Sequence, residues 1–344
     1  MSSAVTDIII PVWNRPIETR QCLAALVEHA DNARLIIMSP GSDPEMDQVL
    51  HEFAEFLDDR VLLLRTERAL GFVETLNRGL ALAEAPLAIA LRTSSLVTSG
   101  WLEPLRTAAL RPDAGLIVPS LSPIGGVLPR KRSSGCTPAE VSHGSFVALG
   151  ITARLYERIG GLDEGLDGDD WCLKDYSRRA GRAGFRTLCV DGPPVRYRNE
   201  LVYGSPERRE RVLKESIAVY LARWGEECAY CLCLSRDPGR EAIDRIFAVI
   251  LSAAREGQRF YVLAPFRAHR MIVAAGLHRS HEHISVERLS RFFPARAVRS
   301  AFARLRGSHP EVKLVTGLEG LTEPGGEQGI PFAELENHFT GVEV

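Results

Sequence analysis

The chain has 344 residues, 45% of them hydrophobic and 25% charged, with a formal net charge of −2. That balance suits a globular protein large enough for two cores, and it excludes a general electrostatic pull toward nucleic acid or an anionic membrane. No apolar run approaches the ~20 residues that span a bilayer, MSSAVTDIII has no basic stretch ahead of an apolar one, and seven cysteines is an odd count for a disulfide framework, so a cytoplasmic protein without a membrane span is expected.

Thr6 to Val12 is a β-branched run that predicts a strand leading into Trp13-Asn14-Arg15-Pro16, and Leu23, Leu26 and Val27 give Glu18 to His29 a helical spacing. A second strand is predicted over Arg34 to Met38, ending in the turn-rich Ser39-Pro40-Gly41-Ser42. A helix from Met46 to Leu57, a strand from Arg60 to Leu64 and a helix from Gly71 to Ala83 follow. Leu87 to Leu91 is an unbroken apolar run, as a strand covered on both faces would be, and it stops at Arg92-Thr93-Ser94-Ser95. In open α/β sheets ligands bind just outside the carboxyl ends of the strands, so a site is expected there. This alternation predicts an α/β fold with a mainly parallel sheet and helices on both faces.

Further on, a helix is predicted from Leu102 to Leu110 and a strand from Gly115 to Pro119. The basic knot Pro129 to Gly135 then reads as a solvated loop or as a flap over an anionic diphosphate. A helix from Arg154 to Gly161 precedes Asp169 and Asp170, which stand where a helix through Lys174 begins and could cap it or supply a general base. A strand from Thr187 to Val190 runs through Asp191-Gly192-Pro193-Pro194 into Val195-Arg196-Tyr197-Arg198, and Ser205 to Trp224 is a charged helix. The last third repeats the alternation and predicts a second, smaller α/β unit, with a loose tail from Glu323 that holds a short helix around Phe332 to Phe339. Cys228, Cys231, Cys233, His278, His281 and His283 could build a zinc site, but Cys231 and Cys233 alternate with Leu232 and Leu234, so buried thiols are expected.

Over its first two thirds the chain resembles glycosyltransferase family 2, inverting sugar-nucleotide enzymes of GT-A fold. The resemblance is carried by Ile8 to Arg15, Gly41-Ser42, Gly71-Phe72, Asn77 to Leu80, Val97 to Leu102, Ser142 to Leu149 as a strand beside the donor sugar, and Asp167 to Leu173. It implies a donor site of Pro11, Trp13, Asn14, Arg15, Ser39, Gly41, Gly71, Asn77, Arg78, Arg92, Thr93, Ser94, Arg196 and Arg198. Trp101, His143, Gly144 and Trp171 would face the sugar or the acceptor, and Asp170, with Asp169 beside it, would be the catalytic base. Where relatives carry Asp-x-Asp for a divalent cation this chain has Arg92-Thr93-Ser94, and no His follows the last core strand. Planar, permanently charged guanidinium groups are therefore expected to meet the diphosphate, so that no cofactor is expected, a cation held by Asp167 and Asp169 being the alternative. The implied partners are a nucleoside diphosphate sugar and a saccharide or a protein- or lipid-linked acceptor, and the competing reading is a noncatalytic carbohydrate- or nucleotide-binding protein. The expected organisation is a transferase domain over 1–204, a linking helix over 205–225, a small α/β domain over 226–322 and the tail.

Overall fold

The computed structural model describes residues 6–13, 15–39, 44–65, 71–124, 139–167, 170–198, 206–290, 294–323 and 329–340. The chain divides into two compact units, one of Met1–Pro138 with His143–Trp224, the other of Ala139–Ser142 with Gly225–Val344.

The first unit begins with β1 (Thr6–Pro11), buried at every position, and α1 (Pro16–His29), which starts on a proline whose missing N–H costs nothing at a helix start. Next come β2 (Ala33–Ser39), α2 (Pro44–Leu57), β3 (Val61–Arg65), α3 (Phe72–Leu80), β4 (Leu87–Leu91), β5 (Ser95–Leu96) and α4 (Leu102–Ala109). They are followed by β6 (Ala114–Pro123), β7 (Ala139–Glu140) of the second unit, β8 (Ala148–Thr152), α5 (Ala153–Ile159), α6 (Trp171–Arg182), β9 (Arg186–Tyr197) and α7 (Pro206–Trp224). The sheet runs β3-β2-β1-β4-β8-β6-β9-β5. Strands β3, β2, β1 and β4 are mutually parallel, β8 runs against β4 and β6, and β9 is parallel to β6. The chain winds outward from β1 through β2 to β3 and then returns to the other side of β1 with β4, which makes the gap between β1 and β4 a topological switch point. Because Pro11 pairs with Met38, Ser39 with Arg65 and Ile9 with Ala90, these strands end on one edge.

Strand β6 runs on to Pro123, past the expected end at Pro119, and two further expected strands depart from the sequence reading. The strand expected over Ser142 to Leu149 starts only at Ala148, because pairing with β4 begins where Ala148 meets Leu91. Gly144 ahead of it lies so close to Leu149 that a Cβ would stand 2.5 Å from that side chain. Strand β9 does not stop at Val190. It continues to Tyr197 with a register shift, the partners stepping from Pro119 with Val190 to Leu121 with Val195, so Asp191 to Pro194 form an irregularity that re-aims the strand.

The second unit is an all-parallel sheet of its own. It comprises β10 (Ala229–Cys233), α8 (Arg240–Arg255), β11 (Arg259–Ala264), α9 (Phe266–Ala274), β12 (Ile284–Arg288), α10 (Pro294–Ser308), β13 (Lys313–Thr316), β14 (Ile330–Pro331) and α11 (Phe332–Thr340). Its strand order is β12-β11-β10-β13-β14. The short helix expected around Phe332 to Phe339 is α11, whose Phe332, Leu335 and Phe339 are buried in one core with residues of α8, and Ser252 Oγ donates to the Phe339 carbonyl at 2.9 Å. The three apolar side chains at i, i+3 and i+7 cover one helix face, and their burial outweighs the turn-forming residues before them. Cys231 and Cys233 are fully buried on β10, and their mutual contact and burial push the Cys231 thiol up. Among the described residues no helix is long and apolar enough to cross a membrane.

One buried carboxylate ties the amino end of β1 to its surroundings. Asp7 accepts from Arg34 Nε at 2.8 Å and Nη2 at 3.0 Å, and from the backbone N–H groups of Glu84 and Ala85 at 2.7 and 2.9 Å. Burial alone would raise its pKa, but these donors outweigh it and hold the carboxyl below the usual range. A depressed folded pKa contributes stability above the unfolded value and loses it as the pH falls through the folded one. Asp7→Ala is expected to cost on the order of 3 kcal/mol at pH 7, with a gap to the parent in melting temperature that narrows below about pH 4. Thermal melts of both proteins across pH check this.

Candidate active site

The strand edge described above gathers Pro11, Trp13, Arg15, Ser39 and the Arg92-Thr93-Ser94 turn. The turn is fixed from several sides. Ser95 N–H donates to the Arg92 carbonyl at 3.0 Å, the Cys22 thiol points at the same oxygen at 3.8 Å, and Ser95 Oγ donates to the Val147 carbonyl at 2.7 Å. Thr93 and Ser94 are buried, while the Arg92 guanidinium lies 5.3 Å from the centre of the Phe72 ring and 5.4 Å from that of Phe146. Those rings meet edge to face at 4.7 Å, and Trp13 stacks on Phe72 at 6.5 Å. A guanidinium over aromatic faces is attracted by the ring quadrupole and loses rotamer freedom, so its charge is held in one place. Strand β9 comes to the same turn. Leu96 pairs with Arg196, and Arg198 N–H donates to the Ser94 carbonyl at 3.2 Å, with both arginine side chains exposed.

A second group of charges arrives on the segment after α5. Asp167 Oδ1 accepts from Val73 N–H at 3.4 Å, so a residue 94 positions away caps the amino end of α3. Gly71 makes this approach feasible, since a Cβ there would stand 2.7 Å from Asp167 Oδ2. Burial raises the Asp167 pKa above the usual carboxylate range, more than the two backbone donors and the charge of Arg92 lower it. Asp170 stands at the amino end of α6, and its carboxylate makes no capping hydrogen bond to that helix, although its carbonyl accepts from Lys174 N–H at 3.0 Å. Burial and then the charges of Asp167 and Asp170 push the Cys172 thiol up.

The remaining expected site residues are placed otherwise. Asn77 is a clamp: its Nδ2 donates to the Leu162 carbonyl at 2.9 Å and to Glu164 at 3.0 Å, and its Oδ1 accepts from Leu162 N–H at 2.9 Å. Arg78 pairs with Glu74 one turn earlier on the surface of α3. Trp101 is fully buried in the core with Leu102 and Leu105, and no ring face is open to a sugar. Trp171 packs on Tyr220 of α7 at 4.9 Å under the Lys174 ammonium. His143 Nδ1 bonds the Gly144 carbonyl at 2.8 Å. Asn14, Gly41 and Asp169 lie outside the described residues, as does the basic knot at 129–135. Phe146 was not singled out from the sequence, where Phe146-Val147 reads as part of an apolar strand; no local signal shows that its ring meets Arg92.

Residues 7–151 match the family model for "Glycosyl transferase family 2". Curated protein sequences give no match. Among solved structures the fold is similar to GalNAc-T7 with UDP, GalNAc and Mn2+, with a TM-score of 0.50 and 16% identity over 63% of this chain, which spans about half (49%) of that one. It is also similar to the mannosyltransferase PcManGT from Pyrobaculum calidifontis in complex with GDP-Man and Mn2+, with a TM-score of 0.48 and 15% identity over 89% of this chain and 81% of that one. The corresponding values for TarS of S. aureus are 0.47, 11%, 63% and 72%. At such identities the likeness is one of fold. The end of β4 itself presents a guanidinium and two buried hydroxyls where a carboxylate pair would be needed for an Asp-x-Asp site. Among the described residues no group of three or more His, Cys, Asp or Glu side chains could hold a metal.

The clamp geometry gives Asn77 a measurable signature. Asn77→Ala is expected to lower stability by about 1–3 kcal/mol through the polar groups it leaves unpaired. Chemical denaturation of the variant and the parent checks this.

Proposed function

We propose, from the match of residues 7–151 to the glycosyl transferase family 2 model, that the protein transfers a sugar from a nucleoside diphosphate donor to an acceptor hydroxyl by a single displacement that inverts the anomeric centre. Asp170 takes the proton of the acceptor hydroxyl as that oxygen attacks the anomeric carbon, and the bond from that carbon to the diphosphate oxygen breaks. The leaving diphosphate gains negative charge in that step. Preorganised positive charge at a developing anion is commonly the largest catalytic term, and the Arg92 guanidinium supplies it at the end of β4 without a metal ion. Arg198 and Arg196 add charge from β9, and Trp13 with the loops after β1 and β2 takes the nucleoside.

The observation that carries this reading is the Arg92 cation, fixed over Phe72 and Phe146 beside the switch point of the sheet and within electrostatic reach of Asp167. Asp170 fits the role of base because it is a carboxylate at the amino end of α6, three residues after Asp167. A carboxylate at that position can accept a proton from an acceptor lying over the start of α6.

Calorimetric titration of UDP and GDP, each with EDTA and with manganese, tests the donor side. Binding that is equal with and without metal is expected, and a large gain with manganese contradicts the assignment. Arg92→Ala should weaken nucleotide diphosphate binding about 10- to 100-fold, as loss of a charge-assisted contact of about 1.5–3 kcal/mol requires. Arg92→Lys should recover only part of that, because an ammonium has no planar fork. On the acceptor side, a panel of UDP- and GDP-sugars is scored by release of nucleotide. Asp170→Asn should bind nucleotide and melt like the parent while transfer falls about 100- to 10,000-fold. A parent that binds nucleotide and turns over no donor in the panel would favour a noncatalytic binding protein.

A further inference from the structure

We infer that Arg223, at the carboxyl end of α7, is a positioning residue for this transfer site, acting through the segment that carries Asp167 and Asp170. The inference rests on the proposed sugar transfer for its catalytic consequence, though not for its geometry. Asp175 of α6 is fully buried, and its carboxylate accepts from Arg223 Nη1 at 2.6 Å, Trp224 Nε1 at 2.9 Å and Arg179 Nε at 2.7 Å. The other nitrogen of the Arg223 fork donates to Asp163 Oδ2 at 2.6 Å. One guanidinium thus joins a buried carboxylate in α6 to a carboxylate in the loop before it. Burial would raise the Asp163 pKa, but Arg223 and the Gly165 N–H hold it below the usual range.

Asp163 is where that loop turns. Its Oδ1 accepts from Gly165 N–H at 2.9 Å and starts the short helical turn Glu164–Leu166, directly ahead of Asp167. The preceding residues are held as firmly: Arg179 Nη2 donates to the Gly161 carbonyl at 2.9 Å, Tyr176 OH to that of Gly160 at 2.8 Å, and Asn77 holds Leu162 on both sides. A Cβ at Gly161 would stand 2.4 Å from Asn77 Oδ1, so the loop lies flat on α3. All of these ties except the Arg223 fork come from α3 and α6. Arg223 ties α7 to the loop through its side chain, and it grips the residue that sets the direction of the chain toward Asp167 and Asp170. A misplacement of about 1 Å in a reacting group can cost about 100-fold in rate, so a distant guanidinium can matter to turnover without touching substrate.

The test uses the full chain and two variants. Asp163→Asn removes only the loop end of the clamp and leaves Asp175 with its donors, while Arg223→Met removes the fork itself. Hydrogen–deuterium exchange of residues 160–167 should rise in both, with the amides of β1 and β4 unchanged. With a productive donor, kcat should fall about 10- to 100-fold while the Kd for UDP or GDP stays within about twofold, and Arg223→Lys should restore part of the loss. Unchanged exchange at 160–167 in both variants overturns the inference, and so does an equal loss of kcat and nucleotide affinity. If no donor is turned over, the exchange result still decides the clamp, because it does not depend on the reaction.

Discussion

A fixed positive charge at the end of a buried strand is the feature on which the site depends. Leu87 to Leu91 are buried at every position, so the first polar group after the strand has to emerge at the sheet edge, and that group is Arg92. Left free, a long cationic side chain would sample many rotamers. Here the edge-to-face pair of Phe72 and Phe146 presents two ring faces at nearly equal distance, and the turn beneath is fixed by bonds from Ser95 and Cys22. Each of these partners comes from a different part of the chain: Cys22 from α1, Phe72 from α3, Phe146 from the approach to β8. The charge is therefore a product of the whole first unit.

The carboxylates are held by a different logic. Asp7, Asp163 and Asp175 each meet an arginine and further N–H donors and serve structure, and at Asp7 and Asp163 these donors hold the carboxyl below the usual range. Asp167 is bonded to backbone at the start of α3 and has a raised pKa, and Asp170 makes no capping bond to its helix. The carboxylates bound to guanidinium groups tie elements together, Asp7 at the start of β1 and Asp163 with Asp175 around the loop before α6, whereas Asp170 stands at the amino end of α6.

Much of the fold was legible in the sequence because its signals are local. The apolar runs at Ile8 to Ile10 and Leu87 to Leu91, and the helical spacing between them, need no distant partner to be read. The second sheet followed from the same alternation. What failed to show are side-chain assignments that depend on residues far away in the chain. Asn77 resembles a donor contact until its partners at Leu162 and Glu164 are known, 85 and 87 positions on. Trp101 follows a glycine at a strand-edge loop, yet its ring turns into the core. The contacts of Arg223 were invisible for the same reason, since neither Asp163 nor Asp175 can be placed beside it from the sequence. The strand from Ala148 and the continuation of β9 past Pro194 were mis-set because pairing partners, rather than composition, decide where a strand starts and stops.

The central claim is that a guanidinium, and no metal ion, faces the diphosphate at the end of β4. A crystal structure of the protein grown with UDP or GDP and excess manganese, with data collected at the manganese absorption edge, measures this directly. The account predicts diphosphate oxygens within about 3 Å of the Arg92 guanidinium nitrogens, as charge-assisted hydrogen bonds require, and no anomalous peak between the phosphates and the protein. A manganese ion bridging the diphosphate to carboxylates, with Arg92 turned away from the phosphates, would contradict it.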